Sequence, residues 1–443
     1  MMLINRDYRR LWAGQLVSQS GDFVFSTTLS LWIGTVLLKD TAYAPAGVSA
    51  LVVVVAVGTL TVGPLAGVFV DRWDRRRTML VADLVRAALI AVLAVVAFLP
   101  DGTVPKTGLL VAAYSTVLLA TCAAQFFNPA RFALIGDVVS SENRARAAGI
   151  GQATQAIATI AGPPLAAPLL FTIGVQWALL LNSLSFLASF AAVRAVRPPA
   201  RPVTAAAPAA KSGLAGFVAE LTAGLRLVVA SRTVTALIAT VVLVTIGADA
   251  LNSLNVFFVS DNLHAASRWY GTLEMALGFG LIAGALLATR LAGRIGARRV
   301  FSLGLLLTGA GLVFYSRLDA LGPALVTLAV VGLPLAAVNT ALTPVLLAEV
   351  PSSHLGRVIA VINPCQQIGA LVGVSLAGWL ASSPMRDFHA SLAGLHFGRI
   401  DTIFTSAGLL VIAGGMYAAV ALRTGGRAPI AEQPGPAVSR GAL

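Results

Sequence analysis

The chain has 443 residues, of which 57% are hydrophobic and only 11% charged, against roughly 25% charged in an ordinary water-soluble domain. That deficit excludes a soluble globular enzyme and points to a polytopic membrane protein. A formal net charge of +13 does not imply nucleic acid, because the basic residues stand in short groups beside apolar runs, with no long basic arm and no interleaved aromatics.

Apolar runs fall at about 11–38, 44–70, 78–99, 107–130, 147–172, 174–195, 233–259, 268–291, 299–316, 321–347, 357–382 and 400–422. As a helix, each can cross an apolar layer of about 30 Å. The expected fold class is therefore an all-α membrane protein of twelve transmembrane helices. The opening "MMLINRDYRRLWAGQLVSQSGD" lacks an apolar core followed by a small-residue cleavage site and reads as retained. Apart from Lys39, Arg86, Lys106, Arg268, Arg317, Arg386 and Arg399, the basic residues fall on one side of such a bundle. The positive-inside rule then places both termini in the cytoplasm, with the chain in the cell membrane.

Run one carries Gln15, Ser18, Gln19, Asp22 and Ser26, whose spacing draws one polar stripe down an otherwise apolar helix. Such a stripe must face protein or water. A carboxylate near mid-depth costs roughly 2.5–3.5 kcal/mol on insertion scales, so Asp22 is read as functional and as a proton-coupling candidate. Run two ends in the charge knot "GVFVDRWDRRR", which pins the following loop to one face. Asp83 and Arg86 in run three are read as an internal ion pair, and Cys122 in run four, like Cys365 in run eleven, as a packing residue. Gln125 and Asn128 in run four and Gln152 and Gln155 in run five are cavity candidates. Within "IAGPPLAAPLL", Gly162 and Pro163 mark a bend in run five.

After run six, "RPPARPVTAAAPAAKS" reads as a linker, followed by a segment with Glu220 and Arg226 suited to a membrane interface. The expected organisation is a first bundle over 1–196, a linker over 197–232, a second bundle over 233–424 and a disordered tail over 425–443. Asp249, with Asn252 and Ser253, makes a polar face in run seven; Glu274 in run eight is either a second coupling group or a hydrated rim residue. Asn339 and Thr343 in run ten and Asn363, Gln366 and Gln367 in run eleven add neutral polar groups.

The two halves parallel each other: "GDFVFSTTLSLW" matches "GADALNSLNVFF", "DRWDRRR" matches "GRIGARR", and "DVVSS" matches "EVPSS". Two related six-helix bundles around a central site form a transporter architecture. The twelve runs, the linker and the knot after run two resemble the major facilitator superfamily. In its loop motif Gly67, Asp71, Arg72, Arg75 and Arg76 stand in place, while Asp74 replaces the usual Gly. The resemblance implies that Asp71 docks on the start of run eleven, near Arg357, latching that side of the protein shut when the other side is open. "LWAGQLVSQSGD", "NPARFALIGDVVSSENRARA" and the Gly-Pro stretch of run five are most similar to the macrolide-efflux and enterobactin-exporter branch.

No phosphate-cradling loop is present, and His264, His354, His389 and His396 have no metal-site spacing, so no cofactor is expected. The resulting expectation is a proton-coupled exporter of small amphipathic or cationic compounds, acting as a monomer among membrane lipids with no nucleic-acid partner. The alternatives are a lipid or lysolipid translocator and a siderophore or metabolite exporter of narrow specificity. A membrane-embedded enzyme lacks any catalytic constellation here.

Overall fold

The computed structural model describes residues 4–70, 72–100, 102–197, 231–349, 355–386 and 395–424, together with 222, 225, 226, 228, 229, 388 and 390–392. Most of the predicted linker, the predicted tail, and Asp71, Glu220, His354 and His389 therefore lie outside the described residues.

Among the described residues twelve long helices follow one another: α1 (Arg6–Trp32), α2 (Ala44–Val70), α3 (Arg75–Phe98), α4 (Lys106–Val138), α5 (Arg144–Pro168), α6 (Val175–Arg194), α7 (Arg232–Asp261), α8 (Tyr270–Ile295), α9 (Ala297–Tyr315), α10 (Leu321–Glu349), α11 (Leu355–Ser382) and α12 (Arg399–Thr424). At 1.5 Å per residue most exceed the thickness of a bilayer core. Ten of them are long and apolar enough to span it. The other two, α1 and α11, carry the polar residues noted above, and these dilute their apolar character. The all-α expectation holds for the bundle. Outside it, β1 (Ala390–Leu392) and β2 (Leu395–Phe397) form a two-stranded antiparallel ladder between α11 and α12.

Packing repeats between the halves. In the first half the most extensive helix pairs are α3·α6, α1·α6, α3·α4, α1·α5 and α2·α4, and in the second α9·α12, α7·α12, α9·α10, α7·α11 and α8·α10. Each pair in one set is the other shifted by six helices, so the sequence parallels are carried into three dimensions as two pseudo-symmetric bundles.

The halves meet along two main seams, α2 against α11 and α5 against α8. Both lie at the end of the bundle away from the chain termini. In the first seam Ser382 Oγ accepts from the Ala46 N–H at 3.0 Å, and a Cβ on Gly378 would overlap Ser49. In the second, a Cβ on Gly271 would overlap the Pro163 carbonyl and one on Gly278 would overlap Ile160. At the terminus end, Cβ atoms built on Gly67, Gly136, Gly149, Gly151 and Gly293 would meet nothing within 4 Å. The close contacts between the halves at Ala46, Ser382, Gly378, Gly271 and Gly278 thus lie toward the far end.

Helix C-termini at the terminus end are tied down by side-chain donors. Arg10 Nη1 donates to the Ala195 carbonyl at 2.7 Å, and Arg76 donates to the carbonyls of Val193 and Arg194. Unpaired carbonyls carry the negative end of the helix dipole, which favours such cationic partners. The second half repeats the device more loosely, with Arg298 Nη1 donating to the Leu422 carbonyl at 3.4 Å.

The α2–α3 loop explains the missing Gly of the motif. Asp74 is extended (φ −65°, ψ 116°) and its carboxylate accepts from the Arg77 N–H at 2.6 Å, capping α3. Its counterpart in the second half, Gly296, has φ 86°, a left-handed conformation that favours glycine. The two loops thus make the same connection through different turns.

Candidate functional site

The polar stripe of α1 opens onto two chambers inside the first bundle. Gln15 and Ser18 are buried, whereas Gln19, Asp22 and Ser26 retain access.

The deeper chamber, about 410 Å³, lies between α1, α2, α3, α4 and α6, and Asp22, Ser26, Arg86 and Gln125 are among its lining residues. Gln125 Nε2 donates to Thr59 Oγ1 at 3.3 Å, which turns its amide toward α2. Arg86 Nη2 donates to Asp83 Oδ1 at 2.6 Å, and Asp83 is fully buried. The Arg86 guanidinium also lies 4.5 Å from the Phe127 ring centroid and 4.2 Å from that of Phe186. Cation–π contacts of this kind strengthen away from water. Asp22 stands within electrostatic reach of both Arg86 and Asp83, with the Asn182 amide alongside. The sequence reading of Asp83 and Arg86 as an internal ion pair holds, but Arg86 also belongs to the Asp22 chamber.

The second chamber, about 510 Å³, lies toward the terminus end between α1, α4 and α5, and is lined among others by Gln15, Gln19, Arg131, Arg144, Gln152 and Gln155. Arg131 Nη1 donates to Gln15 Oε1 at 3.0 Å, and Gln15 Nε2 reaches Ser189 Oγ at 3.4 Å. Arg131 was missed in the sequence because run four appeared to end at about residue 130, whereas α4 continues to Val138. The available signal was its place six residues after Gln125 and three after Asn128, a polar spacing that persists beyond the apolar run.

In the second half, Glu274 is half-buried and engaged. Asn255 Nδ2 donates to Glu274 Oε1 at 3.2 Å, and Tyr315 Oη donates to Asn255 Oδ1 at 2.7 Å. Asn255, missed in the sequence, is buried between these two polar groups. Asp249 is half-buried on α7. Asn128, Asn252, Asn339 and Asn363 are exposed and Gln367 half-buried, and none of them lines either chamber.

Arg75, Arg76 and Arg72 of the loop motif separate in role. Arg75 Nη1 pairs with Asp137 at 2.6 Å, Arg76 caps α6, and Arg72 is exposed. Asp71 and the side chain of Arg357 lie outside the described residues. Gly162 and Pro163 sit inside a continuous α5, where a Cβ on Gly162 would overlap Phe23 of α1. The departure from α-helical pairing comes later, in the π-helical turn Leu169–Ile173 that follows Pro168. Among the described residues, no group of three or more His, Cys, Asp or Glu side chains could hold a metal ion.

Comparison with known proteins agrees with this architecture. Macrolide efflux protein A of Streptococcus pyogenes is 25% identical over 382 residues, 84% of this chain and 88% of that protein. The MFS-type transporter YkuC of Bacillus subtilis (strain 168) is 25% identical over 310 residues, 69% of each chain. The crystal structure of a bacterial homologue of the iron transporter ferroportin, in an inward-facing state, superposes with a TM-score of 0.71 at 14% identity, covering 96% of this chain and 100% of that one. Residues 2–394 match the family described as transmembrane secretion effector. The chain belongs to this family of the major facilitator superfamily, whose members are transporters rather than enzymes.

Proposed function

We propose that the protein is a proton-coupled exporter of small amphipathic organic compounds, cationic ones included, working by alternating access between a bundle at 1–196 and a bundle at 233–424. The observation that carries this reading is the placement of Asp22. It faces a chamber beside a guanidinium already paired with another carboxylate, Asp83. Asp22 and Asp83 share Arg86. One proton arriving at Asp22 removes a charge for which Arg86 is only a shared partner, and its departure restores that charge. Asp249 and Glu274 are the corresponding candidates in the second half.

Moving one proton through 100 mV supplies about 2.3 kcal/mol. At about 1.4 kcal/mol per tenfold ratio, this sustains a gradient of roughly fiftyfold for a neutral substrate. One carboxylate is enough for useful export. In the cycle proposed here, protonation from outside weakens substrate binding, and proton release to the cytoplasm restores it.

The test is uptake of a fluorescent cationic dye, driven by a proton gradient, into inside-out vesicles, comparing wild type with Asp22→Asn at equal expression. Uptake should collapse with an uncoupler and fall at least tenfold in the variant. Equal movement in both would make Asp22 structural and transfer the role to Asp249.

A second reading has its own support. The chamber at the terminus end is lined by Arg131, Arg144 and four glutamines, with no carboxylate. That chemistry suits an acidic or carbonyl-rich metabolite, such as a chelator of the siderophore class. Transport of such a compound with no dye movement would favour it.

A further inference from the structure

The four arginines between α2 and the first turn of α3 divide into two pairs. Arg75 and Arg76 are engaged within the bundle, on Asp137 and on the carbonyls ending α6. Arg72 and Arg77 are exposed. Among the described residues, neither guanidinium makes a hydrogen bond or ion pair.

Both exposed arginines border a groove of about 610 Å³ on α3 and α4, whose wall includes Trp73, Val81, Val85 and Phe126. Val81 and Trp73 are 55% and 51% exposed, far more than a packed interior position would leave. Trp73 stacks on Phe126 with ring centroids 5.8 Å apart, so the wall is a fixed surface. From Arg77 to Val85 the groove follows α3 for about 12 Å. Among the described residues, one acidic group, Asp74, borders it, and its carboxylate caps α3. α3 packs chiefly on α4 and α6, leaving this side off both seams.

The groove joins two exposed arginines to an apolar slot that follows α3. An aromatic residue stands at the junction, where tryptophan is favoured. The matching groove of the second half, about 400 Å³ between α8, α9 and α10, has no charged lining residue.

We infer that the Arg72/Arg77 groove is a binding site for an anionic glycerophospholipid. Its phosphate lies between the two guanidiniums and an acyl chain lies along Val81 and Val85. Each basic residue near an anionic headgroup is worth about a factor of five in affinity. Bound there, the lipid ties the α2–α3 loop to the bilayer surface.

The experiment titrates the purified full-length protein in detergent with phosphatidylglycerol or phosphatidylcholine and counts retained lipids by native mass spectrometry. Wild type should retain phosphatidylglycerol more tightly than phosphatidylcholine. R72Q/R77Q should lose roughly 25-fold in phosphatidylglycerol affinity, and R6Q/R9Q, which removes two exposed arginines elsewhere at the same end, should lose none. Val85→Trp, which fills the slot, should also reduce retention, with helicity checked by circular dichroism. Equal retention of the two lipids by wild type, an unchanged R72Q/R77Q, or an equal loss in R6Q/R9Q would overturn the site.

Discussion

Gly271→Val is expected to open the far end of the bundle. The Gly271 position has no space for a side chain, since its Cβ would overlap the Pro163 carbonyl and crowd Pro164. Both are backbone atoms that no rotamer change can move away. The helices in conflict belong to different halves, so the strain is relieved by parting the α5·α8 seam without repacking either bundle. Overpacking of this kind costs about 1–3 kcal/mol. Applied to a two-state carrier it shifts the ratio of states roughly 5- to 150-fold.

Spin labels at Thr41 and Ala266 check this prediction. Both are exposed and border the far-end cavity of about 660 Å³ between the halves. With Cys122 and Cys365 replaced, pulsed electron resonance should show a longer distance gaining population in Gly271→Val. Gly378→Val should act in the same direction through the other seam, and the two effects should add because the seams share no residues. An unchanged distance distribution with intact helicity would mean that these seams do not hold the closure.

Arg86→Met should cost about 3–5 kcal/mol of stability, the usual penalty for leaving one member of a buried ion pair behind. Asp83 is fully buried, and Arg86 Nη2 at 2.6 Å is its ion-pair partner. The stacking of Arg86 on Phe127 and Phe186 is lost as well, although the methionine side chain retains part of that packing. Asp83→Leu combined with Arg86→Met should recover most of the loss, because the uncompensated charge is then absent. Reversible unfolding in mixed micelles, analysed as a double-mutant cycle, measures the coupling. A single variant as stable as wild type would show that Asp83 does not depend on Arg86.

The twelve helices were legible in the sequence because membrane insertion demands long apolar runs, and no other constraint writes so strongly. The runs missed helix ends wherever polar residues continue the helix beyond the apolar layer. α4 reaches Val138 rather than about 130, and α1 begins at Arg6 rather than about 11. Asp22 stood out for the same physical reason, as a carboxylate in an apolar span. Its meeting with Arg86 did not, because that depends on how α1 and α3 each pack on α6. Helix rotation about its own axis is set by side-chain packing, which a run of Leu, Val and Ala does not specify. Arg131 and Asn255 were missed on similar grounds, each gaining its meaning from partners on other helices, Gln15 in one case and Glu274 with Tyr315 in the other.

The two seams contain small residues at their closest contacts: Ala46, Ser49, Gly378 and Ser382 in one, and Gly271 and Gly278 in the other. Small residues let backbones touch while covering little apolar area. Each ~100 Å² of apolar surface uncovered costs about 2.5 kcal/mol, close to the work available from one proton crossing 100 mV. A seam of leucines and phenylalanines would lock the far end against a drive of that size. In the proton-driven cycle proposed above, the glycines would match the strength of the closure to the drive that opens it.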